Sequence, residues 1–174
     1  MTAFAKAFRS IYGHDPVVRM EGHGRDASVE RTVGWFTCLY PLGLKTSDDP
    51  LADLFSVRGT RRHVPKGGRG YMHIRQDIPD ITFNYLGGTF SYSNRIFSEA
   101  HLPIKYRKGP DMGEKGSVNI QEHDGIYVFS GFFDPSADLA SAVEDALGTV
   151  MDSLKGILRC PLTAPQLNVY LDEI

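Results

Sequence analysis

Apolar residues recur at helical spacing in three stretches of the chain and crowd into shorter runs between them. Phe4, Phe8 and Ile11 share one face at i, i+4, i+7, which predicts a helix over 2–11. Gly13 stops it and Pro16 follows. Val17 to Met20 reads as a short strand, left by the Gly-rich polar loop Glu21-Gly22-His23-Gly24-Arg25-Asp26. Thr32 to Tyr40 is apolar and aromatic, which predicts a buried strand or an irregular core segment closed by Pro41 and Gly43. Asp49 caps and Pro50 opens a second helix to about Arg62, with Leu51, Leu54 and Phe55 inward. Val64 to Gly70 is a basic Gly-rich loop, and Ile81 to Tyr85 is a strand ending at Gly87-Gly88. Val118–Gln121 and Ile126–Phe133 form a hairpin around His123-Asp124-Gly125, because Asp-Gly between β-rich runs marks a turn. The third helix runs over about 136–158, capped by Asp134, opened by Pro135, and ended by Cys160-Pro161. Leu139, Val143, Leu147, Val150, Met151, Leu154 and Leu158 build its apolar face. Strands mixed with helices predict an α/β layered domain.

The 174 residues suffice for one domain with a core. Nineteen Lys and Arg against 21 Asp and Glu leave a net charge of −2, which disfavours a general nucleic-acid or membrane-surface binder. No apolar run approaches the roughly 18 residues that span a bilayer, and no apolar stretch behind Lys6 and Arg9 makes a secretory signal. Cys38 and Cys160 are no disulfide framework, so a cytoplasmic setting is expected.

The six histidines show no metal-ligand spacing, and no metal is expected. Neither a G-x-S-x-G elbow nor a Walker loop occurs. Arg58, Arg61, Arg62, Lys66, Arg69 and Arg75 crowd into residues 58–75. They are either a solvated helix end and loop or a dock for an acidic or phosphate-bearing partner. Glu21 sits where a strand meets two glycines, so a ligand or another backbone can approach closely. Burial in a cleft raises the proton affinity of such an acid. A charged turn tied to Asp26 or Arg31 accounts for the same residues.

Four segments, in order, resemble one family. Glu21-Gly22-His23-Gly24-Arg25-Asp26 is similar to the E-G-H-G-R-E motif of epimerization domains in nonribosomal peptide synthetases. Arg31 through Pro41, followed by Leu44, resembles R-T-V-G-W-F-T-x-x-Y-P-x-x-L, and Pro65 through Tyr71 resembles P-x-x-G-x-G-Y. Phe83-Asn84-Tyr85-Leu86-Gly87 is similar to F-N-Y-L-G. Asp26 stands for the usual Glu, Met72 for a Gly, and Gly88-Thr89 for a common Gln-Phe.

The resemblance implies the C-terminal subdomain of a chloramphenicol-acetyltransferase-like fold, a two-layer α/β sandwich over 1–160. Residues 161–174 would be a linker and the start of a following condensation domain. The family's H-H-x-x-x-D-G motif, which belongs to the first half, is absent. By resemblance the family inverts the α-carbon of an aminoacyl or peptidyl thioester. That substrate hangs on the phosphopantetheine arm of a peptidyl carrier protein, with no cofactor bound directly. Glu21 would be one of two opposed proton-handling groups, and the missing N-terminal half would bring the other. Asn84 orients the thioester or satisfies strand-end backbone. His23, Arg25, Trp35, Tyr71 and Tyr85 are taken as cleft residues, with Trp35, Phe36 and Tyr40 more as supports than as contacts. Arg58, Arg61, Arg62, Lys66 and Arg69 are the candidate carrier dock. A condensation domain and a non-catalytic docking module are the alternatives. An uncovered half-domain face is expected to be apolar and to favour self-association.

Overall fold

The computed structural model describes residues 1–71, 79–88, 116–123, 126–133, 138–158 and 166–171. In chain order the elements are α1 (Thr2–Tyr12), β1 (Val17–His23), β2 (Thr37–Gly43), α2 (Pro50–Arg62), β3 (Ile81–Gly88), β4 (Gly116–His123), β5 (Ile126–Phe133), α3 (Leu139–Leu158) and β6 (Gln166–Leu171). Short 3-10 turns lie at Ala27–Val29 and Pro65–Gly68. The strands form one mixed sheet in the order β2-β1-β3-β4-β5-β6. Pairs β1–β2 and β4–β5 are antiparallel, and β1–β3, β3–β4 and β5–β6 are parallel. A parallel neighbour needs a long crossover, and α3 supplies the one between β5 and β6.

The helices share a core with one face of the sheet, which makes the expected two-layer sandwich. Phe4 and Phe8 of α1, Val57 of α2 and Leu139 and Val143 of α3 are buried against Val18, Met20, Tyr40, Leu42, Ile81, Phe83, Val118 and Ile120. These strand residues fall at alternate positions, so the residues between them point the other way. Gly13 ends α1 at φ 75, its N–H donating to the Arg9 carbonyl at 2.9 Å.

Several boundaries differ from the sequence reading, each for a local reason. Glu21, Gly22 and His23 are not loop; they continue β1 because Leu39, Cys38 and Thr37 pair with them. β2 starts at Thr37 and runs through Pro41. Proline is tolerated there because β2 is an edge strand, where half of the N–H groups face away from the sheet. The stretch before β2 is not core: Val33 and Trp35 are 99% and 88% exposed. In α2 the Asp49 carboxylate caps the Leu51 and Ala52 N–H groups as expected. Phe55, however, is 66% exposed, and Asp53 and Val57 face inward instead. The Lys6–Asp53 ion pair at 2.9 Å fixes that rotation of the helix. α3 begins at Leu139, with the Asp138 carboxylate accepting from the Ser141 N–H at 3.2 Å; the caps expected at Asp134 and Pro135 lie outside the described residues. The turn residues Asp124 and Gly125 lie outside them too, but the β4–β5 hairpin is present. Within 161–174, expected as a linker and the start of a following domain, Gln166–Leu171 forms β6 beside β5.

Candidate functional site

Among the described residues no helix packs on the second face of the sheet. Alternation gives that face Arg19, Glu21 and His23 from β1, Thr82 and Asn84 from β3, and Ser117, Asn119 and Gln121 from β4. Across these three strands it is polar, because the apolar half of each is spent on the helix side; β2 adds Leu39 and Pro41, which pair with Glu21 and Arg19 on this same face.

Register lines these residues up in rows. Arg19 pairs with Thr82, which pairs with Ser117. One step on, Glu21 and Asn84 follow the paired residues Met20 and Phe83, and Asn84 pairs with Asn119. Parallel neighbours lie about 4.8 Å apart, so Glu21, Asn84 and Asn119 form a row roughly 10 Å long. Glu21 is exposed, and Asn84 and Asn119 are half-buried. Their side chains make no hydrogen bond to another described residue. Among the described residues, the sheet therefore presents a carboxylate and two carboxamides side by side on a face that no helix covers.

His23 joins this surface as an exposed residue two positions beyond Glu21 on the same face of β1. Arg25 does not. Its guanidinium donates to the carbonyls of Val29 at 2.8 Å, Thr32 at 2.5 Å, Gly34 at 3.3 Å and Glu30 at 3.4 Å. It also lies 4.2 Å over the Phe36 ring. Arg25 thereby ties residues 29–36 to the end of β1, and Trp35 rides outward on that loop. Tyr71 packs against the hydrophobic core on the helix side. Tyr85 sits in register with Ile120, on the helix side, and is half exposed beyond the helices' cover. A bulge at Leu86, with Gly87 at φ 75, follows it.

The glycines of the first motif make room for backbone. A Cβ on Gly22 would come within 2.9 Å of the Gly67 carbonyl and of Cys38 Sγ. On Gly24 it would strike the Phe36 carbonyl, which already accepts the Gly24 N–H at 2.9 Å. Gly68 is at φ 87 and stacks against the Tyr40 ring. The 65–68 turn is thus clamped onto the helix side of β1 and β2, behind Glu21.

The basic residues divide. Arg58, Arg61, Arg62 and Lys66 are exposed at the end of α2 and in the turn after Val64. Arg69 is engaged: it pairs with Asp26 at 2.5 Å. Hydrogen bonds from the Ser28 hydroxyl and N–H, and then from Arg69, hold the Asp26 carboxyl below its ordinary range. Arg75 lies outside the described residues. Among those residues no three His, Cys, Asp or Glu gather as a metal would need, and no helix is long and apolar enough to cross a membrane.

Sequence reasoning named Glu21, His23 and Asn84 and missed Asn119. Its signal was present: Ser117, Asn119 and Gln121 alternate with Val118 and Ile120. What the alternation does not carry is the strand order that sets β4 beside β3.

No family model matches the sequence. The chain is 34% identical over 142 residues to surfactin synthase subunit 1 of Bacillus subtilis (strain 168), covering 69% of the chain and 4% of the relative. It is 34% identical over 137 residues to bacitracin synthase 2 of Bacillus licheniformis, covering 67% of the chain and 5% of the relative. Against tyrocidine synthase 1 of Brevibacillus parabrevis the identity is 30% over 131 residues, 64% of the chain and 12% of the relative. The chain thus spans a small fraction of these proteins. Among solved structures it resembles the epimerization domain from the third module of tyrocidine synthetase B. That match has a TM-score of 0.62 and 26% identity, and covers 88% of the chain and 41% of the domain. The starter condensation domain of rhizomide synthetase matches with a TM-score of 0.54 and 13% identity over 95% of the chain and 42% of that domain, a likeness of fold.

Proposed function

From a chain related to the nonribosomal peptide synthetases, and folded as their epimerization and condensation domains are, we propose an epimerase part. It presents one of two groups that invert the α-carbon of a carrier-bound aminoacyl or peptidyl thioester. The observation that carries the reading is the row in which Glu21 and Asn84 follow the paired residues Met20 and Phe83, with no helix over them among the described residues.

The chemistry asks for what that row offers. The α-hydrogen of a thioester is weakly acidic, so its removal needs a positioned base and stabilisation of the enolate oxygen. Inversion returns the proton to the opposite face, so two groups must flank the carbon. The Glu21 carboxylate takes or gives the proton on one side. The Asn84 carboxamide, one strand away, donates an N–H to the thioester oxygen as charge develops on it. The second proton handler comes from the portion of the domain outside this chain, the portion that carries the family's paired histidines. A general acid or base in hydrogen-bond reach is worth roughly 10²–10⁴-fold. The phosphopantetheine arm of a peptidyl carrier protein delivers the substrate and leaves with it.

The test is solvent exchange at the α-carbon of a carrier-bound aminoacyl thioester. The 174 residues alone should exchange no α-hydrogen. Joined to the complementary portion they should exchange it, and Glu21→Gln should remove at least 10²-fold of that rate. Exchange by the lone chain, or an unimpaired Glu21→Gln, overturns the reading. A condensation role is the second reading, favoured by the fold shared with the starter condensation domain. Peptide-bond formation by the joined chain, without inversion, would select it.

A further inference from the structure

We infer that Asn119 of β4 is a third site residue, which binds a secondary amide of the tethered substrate chain. This rests on the epimerase reading above and extends the site by one strand. Asn119 pairs with Asn84 across β3 and β4, and so stands on the same face as Glu21, two strands over. It is half-buried, and its side chain makes no hydrogen bond to another described residue. Its flanking residues Val118 and Ile120 are buried on the helix side, which fixes the carboxamide to the open face. The strand is secured on both sides, by β3 and by β5, where Asn119 pairs with Ser130. Asn119 therefore stands on rigid sheet, not on a loop.

The row has a direction. Its acid end is Glu21, its middle Asn84 and its far end Asn119. A substrate whose α-carbon meets Glu21 and whose thioester oxygen meets Asn84 extends its next polar group about one strand spacing, roughly 4.8 Å, further along. Past the thioester carbonyl the substrate continues through sulfur and two methylenes to a secondary amide of the phosphopantetheine arm. A peptide instead leaves from the α-carbon, at the Glu21 end of the row. A carboxamide offers one acceptor and two donors, and so matches the C=O and N–H of an amide together. A carboxylate or an ammonium at this position would match only half of it.

The experiment uses the chain joined to its complementary portion, with Asn119→Ala and Asn119→Ser measured against the unaltered domain. Substrates are an aminoacyl and a dipeptidyl thioester on the same carrier, and the readout is the steady-state rate of α-hydrogen exchange. Losing one neutral hydrogen-bond pair should lower kcat/KM about tenfold, carried mainly by KM. Thermal unfolding should stay within about 2 °C, since the side chain supports no other described residue. A loss with both substrates assigns the amide to the arm, and a loss with the dipeptidyl substrate alone overturns the stated direction of the row, since a peptide branches from the α-carbon. Unchanged KM with both substrates overturns the inference while leaving Glu21 untouched. If Glu21→Gln exchanges normally and the joined chain forms peptide bonds instead, the epimerase reading has failed. The same KM comparison on bond formation then decides Asn119 by itself, an unchanged KM again overturning it.

Discussion

At the scale of single residues, the glycines of the recognisable motifs serve packing. Gly68 combines a left-handed backbone with a ring in contact, and a Cβ there would sit 2.0 Å from the Tyr40 ring. Left-handed backbone costs a non-glycine residue about 1–2 kcal/mol. Forcing a methyl into a packed contact costs about 1–3 kcal/mol more. Gly13 has φ 75 with nothing within 4 Å, so it isolates the backbone contribution. Urea denaturation should therefore show Gly68→Ala losing about 2–5 kcal/mol and Gly13→Ala about 1–2 kcal/mol. Equal losses would mean that the 65–68 turn does not press on Tyr40. The sequence displayed these glycines openly and left two explanations for Gly22, ligand or backbone. The choice needed the 65–68 turn, which lies 43 positions or more along the chain and reaches Gly22 through tertiary contact alone.

At the scale of elements, α1 and α2 are joined by a polar contact that no hydrophobic pattern announces. Asp53 is 2% exposed, accepts from Lys6 Nζ at 2.9 Å, and takes the Ser47 N–H and hydroxyl at 2.6 and 2.8 Å. An aspartate between Leu51 and Leu54 reads as solvent-facing, yet it is Asp53 that is buried and Phe55 that is exposed. The helices themselves were legible from caps and periodicity; the rotation of α2 was not, because one buried ion pair sets it. Asp53→Ala removes the buried carboxylate from Lys6, which keeps the Ser47 carbonyl at 2.7 Å, and from the Ser47 N–H, and should cost about 3 kcal/mol by chemical denaturation. Burial alone would raise the Asp53 carboxyl, but hydrogen bonds from Lys6 and Ser47 outweigh it and hold it below its ordinary 3.8. The unfolded chain then binds this proton more readily than the folded one. The stabilisation is complete above the ordinary carboxylate range and fades as pH falls through the depressed folded value. Asp53→Asn should accordingly flatten the dependence of stability on pH below about 4. A slope unchanged from the parent would place the acid-sensitive group elsewhere.

At the scale of the whole molecule, the sandwich separates two surfaces of different character. Strand and helix content, and so the α/β class, could be read from periodicity and turn chemistry. The order β2-β1-β3-β4-β5-β6 could not, since residues as distant in sequence as Glu21 and Asn119 come onto one row only through pairing with β3. The second sheet face carries the proposed site on polar residues of β1, β3 and β4, while Arg58, Arg61, Arg62 and Lys66 are exposed around the end of α2. A chain of net charge −2 that gathers four exposed cations there has a local field opposed to its total. If the end of α2 is the carrier dock, such a field would draw in an acidic carrier protein and the phosphate of its arm at distances up to a Debye length, about 10 Å at 0.1 M salt. Arg69 contributes little to that field, because Asp26 already pairs with it. Reversing Arg61 and Arg62 together to Glu should weaken binding of a phosphopantetheinylated carrier protein about tenfold or more at 0.05 M salt. The gap should narrow to about threefold or less at 1 M, where the Debye length is about 3 Å. Titration calorimetry with the joined domain reads both values. Asn119→Ala should show neither the salt dependence nor the loss of affinity for an unacylated carrier whose arm has been removed, so the two surfaces can be scored apart. Carrier affinity that ignores salt in the parent would remove the α2 end from the docking surface and leave the sheet face to hold the carrier through its arm alone.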